Sequence, residues 1–335
     1  EADAGLTARW GVTPNMTLSG TVNPDFSQVE ADARQLDVNE RFALFFPEKR
    51  PFFMEGADFF ETRLRAVYPR TLHDPNWGAK LTGKARGHTV GAYVVQDAVT
   101  NLLLPGPEGS DGTTLEEDSL AGVLRYKRDV GSRLTVGGLL TARESATYHN
   151  HLAGLDGNLR LTDTDRIQLQ LLGSRTAYPD ELIADVAQTD GGLEGWAADL
   201  AYVRDSRTWD VWSFVRHVGR DFRADLGFMP KADFTTTGGG VSREWIPDGS
   251  SWYSRLEAWA EVTHEQVAST GELLLGQANV GLTYEGPLQS HSMVQVFRGR
   301  QGYGGEELRI ADLQLHHCMK PNGHSHVFVN LWWGD

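Results

Sequence analysis

Over much of this 335-residue chain, hydrophobic and polar positions alternate with a period of two, the pattern of a strand whose two faces meet different surroundings. Between positions 133 and 143, one face carries Leu134, Val136, Gly138, Leu140 and Ala142, and the other Arg133, Thr135, Gly137, Leu139, Thr141 and Arg143. Residues 167–174 divide into Ile167, Leu169, Leu171 and Gly173 against Gln168, Gln170, Leu172 and Ser174. Residues 255–265 set Leu256, Ala258, Ala260 and Val262 against Arg255, Glu257, Trp259, Glu261, Thr263 and Glu265, and 274–285 and 326–333 repeat the division. A soluble β-sandwich alternates in the same way. Several of these runs, however, reach about 10–14 residues, more than the ~5–6 common in globular sheets and enough for a tilted strand to cross a bilayer. The aliphatic faces tend to end in aromatics, at Tyr126, Tyr202, Tyr284 and Trp333, where an interfacial girdle would lie.

Turn signals divide the chain into about 16 such runs. The odd-to-even joins are short, as at 13–15, 87–88, 130–132, 163–165 and 321–323, whereas the even-to-odd joins include the long ones, 24–75, 99–117, 178–193 and 222–233. Tight turns at one rim and long loops at the other are the arrangement of outer-membrane barrels. The fold expected is all-β: a transmembrane antiparallel β-barrel, one domain over residues 1–335. Both chain ends would fall at the long-loop rim, so at least one further strand is expected beyond each end. The Gly-, Pro- and acid-rich stretch 101–118 is expected to be a loop without a core.

One long stretch breaks the alternation. Residues 23–60 pack Phe42, Phe45, Phe46, Phe52, Phe53, Phe59 and Phe60 among Glu40, Arg41, Glu48, Lys49, Arg50, Glu55 and Asp58. Rings and charges this dense need burial and partners respectively, which a mobile loop does not provide. The region 24–75 is therefore expected to fold into the barrel as a plug or constricting insert.

Composition narrows the function. The chain carries 31 Lys and Arg against 45 Asp and Glu, a formal net charge of −14, and no basic cluster offsets it, so a phosphate backbone is not an expected partner. It has no run of 18 apolar residues to make a transmembrane helix, a test that barrel strands escape. The one cysteine, Cys318, excludes an intrachain disulfide.

The motifs NPDFSQVEAD at 23–32 and FFPEKRPFFMEG at 45–56, with GLTARWGVTPNMTLSGTV before them and DFRADLGFMPKADF at 221–234, resemble a bacterial outer-membrane β-barrel domain family of unknown function. Members of that family usually follow a module resembling carbohydrate-binding family 9. The resemblance runs over the whole chain and implies a barrel and a membrane; it brings no catalytic residue with it.

Candidate chemistry is thinner. Glu48, Lys49, Arg50, Glu55, Asp58 and Arg41 are the residues expected to act from the insert, either as a gate or as anchors pairing with groups on the wall, and a guanidinium such as that of Arg50 grips carboxylates or hydroxyls in a fork. Arg125, Lys127, Arg133, Arg143, Glu257 and Glu261 are the expected lining of a charged lumen. His316 and His326 flank a hairpin at Pro321-Asn322-Gly323 that would let them share a metal, although alternation puts His316 and His317 on opposite faces and a structural role is preferred. The tripeptide His149-Asn150-His151 spells a nuclease-like sequence by chance, and Asp111, Glu116, Glu117 and Asp118 lack the spacing of a calcium loop. No Gly-x-Ser-x-Gly elbow is present, and neither a catalytic residue nor a cofactor is assigned. The function expected is an outer-membrane pore or uptake component, with carbohydrate-derived solutes suggested by the family's companion module. The alternatives are a non-conducting anchor for that module or a docking partner, and a barrel-embedded hydrolase.

Overall fold

The computed structural model describes residues 5–24, 41–182 and 192–334. The motif at 23–32 therefore lies almost wholly outside the described residues, as do residues 25–40 of the insert. The chain is all-β. Its strands are β1 (Leu6–Thr13), β2 (Met16–Val22), β3 (Pro75–Ala85), β4 (His88–Asp97), β5 (Thr100–Pro105), β6 (Ser110–Leu115), β7 (Ser119–Val130), β8 (Leu134–Glu144) and β9 (His149–Arg160). They continue as β10 (Asp165–Ala177), β11 (Leu193–Asp205), β12 (Trp209–Val218), β13 (Phe234–Trp245), β14 (Arg255–Val267), β15 (Leu273–Gly286), β16 (Ser290–Tyr303), β17 (Glu306–Asn322) and β18 (Ser325–Gly334). Sixteen of them form one sheet in chain order, with β4 pairing directly with β7 because β5 and β6 leave the sheet as a separate hairpin. The expected strand count is thus met. A closed barrel is not: the hydrogen-bonded order is a list with β1 and β18 at its two ends.

The hairpin corrects the expectation for 101–118. Two six-residue strands form there, and Leu102 and Leu115 enter a buried cluster with Tyr148, Tyr178, Leu182 and Leu193. Gly106 and Gly109 close the turn through a backbone hydrogen bond of 2.8 Å. Two well-placed leucines suffice to dock a segment whose average composition is that of a loop. At the tight end of the sheet, the join between β3 and β4 has Arg86 at φ 51° and Gly87 at φ 76°; positive φ at both central residues matches the twist of a two-residue hairpin.

The chain divides into two compact units: the first comprises Glu1–Leu159, Leu169–Asp199 and Val218–Asp233, and the second Arg160–Gln168, Leu200–His217 and Phe234–Asp335. In the first unit the two faces of the sheet are inverted relative to a soluble sheet. Cross-strand register puts Lys80, Tyr93, Val123, Thr141 and Leu152 in one row, and this face also carries Arg125, Arg143, Asn150, Gln170 and Asp199; all of these residues are buried. The opposite face presents Leu120, Leu124, Leu140, Leu155, Leu171 and Trp196 to solvent, with Leu140 at 54% and Leu155 at 67% exposure. Buried charge and exposed aliphatic surface are the two informative departures from ordinary protein surfaces, and this unit has both.

The second unit repeats the separation. Leu256, Ala258, Ala260 and Val262 pair with Tyr284, Leu282, Val280 and Ala278, and the aliphatic face continues through Val294 and Val296 to Leu313 and Leu315, then Leu331 and Trp333. Val262, Leu282, Leu331 and Trp333 are each more than half exposed. The opposite face carries Glu257, Trp259, Glu261, Asn279, Gln295, Gln314 and Trp332. The faces read from the sequence at 133–143, 167–174 and 255–265 are the faces observed.

Candidate functional site

In the first unit, residues 41–72 lie on the polar face. Helix α1 (Pro51–Met54) begins with a proline at its first position, where the missing N–H costs nothing, and buries Phe52 and Phe53. The ring of Phe52 packs where a Cβ on Gly78 would come within 3.2 Å of it, and one on Gly91 would stand 3.0 Å from Phe60, so glycines on β3 and β4 let the segment approach the sheet backbone. Phe53 and Phe60 meet the Tyr93 ring edge-on at 6.1 and 5.2 Å. Polar groups of the wall then satisfy the backbone of the segment. Lys80 donates to the carbonyls of Phe52 and Glu55, Lys127 Nζ to that of Asp58 at 3.3 Å, and the Leu64 N–H donates to Gln170 Oε1 at 2.8 Å. Arg63 forms an ion pair with the buried Asp199.

The segment is also clasped to itself. Arg50, 3% exposed, donates in a fork to Glu48, Nε to Oε1 at 2.9 Å and Nη2 to Oε2 at 2.8 Å. It reaches the carbonyls of Leu72 at 2.6 Å and Pro69 at 2.8 Å, with its guanidinium 4.5 Å from the centre of the Phe53 ring. Burial alone would raise the Glu48 carboxyl, but the hydrogen bonds and charge of Arg50 outweigh it and hold the group below the usual carboxylate range. Glu48 and Arg50 thus pair with each other, while Lys49, Glu55 and Asp58 are exposed. Arg41 Nε donates to the Glu108 carbonyl, tying the start of the segment to the β5–β6 hairpin.

Two buried polar clusters hold neighbouring loops. Asp97 and Arg143, both fully buried, pair at 3.0 Å. Asp97 also accepts the backbone N–H groups of His73 and Asp74, and Arg143 also donates to the carbonyl of Asn101 and to Ser119 Oγ. The second cluster centres on Asp225, which accepts from the phenols of Tyr148 at 2.7 Å and Tyr178 at 3.0 Å. Burial pushes the Asp225 carboxyl above its usual value despite these donors and the nearby charges of Arg223 and Arg143. The same burial, with the carboxylate alongside, drives both phenols well up. Neither cluster was foreseen, because each joins residues far apart in the chain that carry no local signature.

Of the expected lining residues, Arg125 is buried and pairs with Asp156 at 2.5 Å, Arg143 is committed to Asp97, Lys127 bonds the Asp58 carbonyl, and Arg133 is exposed in the turn before β8. Glu257 pairs with Arg255 at 2.5 Å, and Glu261 accepts from Asn279 Nδ2 at 3.4 Å. His316 faces Asn330, with Nδ1 and Oδ1 at 2.5 Å, and His326 lies four residues along β18 from that partner, so the hairpin does not bring the two histidines opposite each other. Among the described residues no group of three or more metal-ligating side chains converges.

Residues 1–72 match the model of a domain of unknown function, DUF5916. The match covers the first two strands and the segment up to the one-turn helix at Pro69–Thr71. No curated protein matches the sequence. Among solved structures, the crystal structure of OccK11 (OpdR) of Pseudomonas aeruginosa is similar at 12% identity and a TM-score of 0.42, over 82% of this chain and 75% of that one.

Proposed function

We propose that the chain crosses a lipid bilayer as an antiparallel β-barrel of the bacterial outer membrane and serves as a pore or uptake component, with residues 24–75 as a constricting insert. The observation that carries this reading is the inversion of the sheet in both units, with aliphatic side chains facing out and charged side chains facing the packed or polar side. Water gives no reason to expose Leu140, Leu155, Leu282 and Leu331 together; hydrocarbon does. No described helix is long and apolar enough to cross a membrane, which leaves strands as the spanning elements of this proposal. The aromatics at the ends of the aliphatic faces fit an interface, and Arg243, set 4.7 Å from the Trp209 ring and 5.4 Å from that of Trp245, fits a headgroup contact.

A second reading, a sealed anchor for another module or partner, draws support from the extensive packing of residues 41–72 on the first unit's wall. Carbohydrate-derived solutes rest on the family resemblance alone. Planar-bilayer recording separates the two readings: discrete conductance steps are expected of a pore, and a folded, inserted chain that passes no current is an anchor. The membrane itself is tested by Leu140→Arg, expected to cost about 2–4 kcal/mol of insertion stability if the residue sits near the bilayer midplane. A variant that partitions and folds in liposomes like the parent would overturn the membrane reading.

A further inference from the structure

On the polar face of the second unit, aromatic rings occupy the space above glycines. A Cβ placed on Gly240 would stand 2.6 Å from the Trp212 ring, one on Gly238 2.7 Å from Phe214, one on Gly281 2.5 Å from Trp259, and one on Gly299 2.9 Å from Phe297. Each of these side chains keeps part of its surface exposed. Trp212 and Phe214 are neighbours, with centroids 5.9 Å apart and planes 16° from parallel. The glycine-rich run 238–240 is the sequence signal of this arrangement, since a side chain there would lift the rings off the sheet.

Register sets the rings among acceptors. Gly240, beneath Trp212, pairs with Glu261, which pairs with Asn279, then Phe297, then Asp312. The adjacent row runs Ser242, Trp259, Gly281, Gln295, Gln314 and Trp332. Neighbours in a row stand about 4.8 Å apart, so a ring and a carboxylate fall within the span of one small molecule. Carboxylates outnumber guanidinium groups on this face: Asp210, Glu244, Glu257, Glu261, Glu265, Glu285 and Asp312 share it with Arg216 and Arg255, the latter paired with Glu244, Glu257 and Glu285. Seating rings on glycine explains the rings but not two further atoms. Asp210 Oδ1 and Asn279 Oδ1 are buried acceptors that no protein donor reaches. Partly exposed rings set among carboxylates share one complement.

We propose that this face binds organic cations, ammonium or guanidinium groups carried on a short apolar or ring-shaped body. The ring quadrupole attracts the cation, and the carboxylates compensate its charge. As a statement about a pore's solute it rests on the function proposed above, whereas the binding itself does not require conduction.

The test is calorimetric titration of the full chain in detergent micelles with benzylammonium, benzyl alcohol and benzoate, three probes of one shape and different charge. Benzylammonium is expected to bind about tenfold or more tightly than the alcohol, with benzoate weakest, a difference of about 1.4 kcal/mol per tenfold. Glu261→Gln, which keeps an acceptor for Asn279, and Trp259→Leu are each expected to remove most of that preference. Equal affinity for all three probes, or a preference intact in Glu261→Gln, would overturn the proposal. Conductance is recorded separately. A conducting chain without the preference sinks this inference alone, and a non-conducting chain that keeps it sinks the pore alone.

Discussion

Arg50→Ala is the sharpest probe of how residues 41–72 are held. The guanidinium is 4% exposed and the Glu48 carboxylate 12%, so the change leaves a largely buried charge without its fork, the Leu72 carbonyl without its Arg50 donor and the Pro69 carbonyl with the Leu72 N–H alone. Breaking a buried pair by removing one partner costs about 3–5 kcal/mol. At about 1.4 kcal/mol per tenfold, the opened state of the segment becomes about 10²–10⁴ times more populated. Hydrogen exchange read by mass spectrometry on the detergent-solubilised chain measures this directly. The N–H groups of Phe53 and Met54, which bond the Arg50 carbonyl, and that of Leu72, which bonds the Pro69 carbonyl, should exchange faster by that factor, while amides of β7 and β8 keep their rates. Arg50→Lys, which keeps the charge but cannot span the fork, should fall between. Unchanged exchange at Phe53 and Leu72 in the Ala variant would show that ring packing alone holds the segment, and the reasoning from the Glu48–Arg50 clasp would fail.

Acid should loosen the same segment. Glu48 has its folded-state value lowered, so its contribution is complete above the ordinary carboxylate range and lost as pH falls through the folded value; faster exchange at Phe53 on acidification, absent in Glu48→Gln, is the expected result. At the other cluster, Asp225→Ala strands the phenols of Tyr148 and Tyr178 and should cost about 1–3 kcal/mol for each. Asp225→Asn retains an acceptor and sheds a buried charge, so thermal unfolding should place it close to the parent; equal losses in the two variants would contradict this account.

The strands and their faces were legible because a period of two is local: Leu134 to Arg143 declares in ten residues which side meets which surroundings. The aromatic burial at Phe52, Phe53 and Phe60 was legible for a related reason, the density of rings in one short stretch. What the alternation could not convey is which distant group each charge meets. Arg143 was expected to line a wet interior and instead meets Asp97, 46 positions away, in a site closed to water. Glu48 and Arg50 were expected to pair with the wall or gate it, and they pair across two residues. The β5–β6 hairpin was hidden because a window average weighs its glycines and acids equally with Leu102 and Leu115, whereas burial depends on those leucines alone. Trp259 was placed on its proper face, but the ring's posture depends on Gly281, 22 positions away on the next strand.

Asp97 has a consequence for how the molecule can change over time. One carboxylate receives the chain at His73 and Asp74, just before β3, and through Arg143 it also fixes the start of the hairpin at Asn101 and the foot of β7 at Ser119. Three connections that look independent along the chain are therefore tied at a single knot. None can be lengthened or exchanged without disturbing the other two, so variation at this rim should arrive in concerted steps while the opposite turns drift freely.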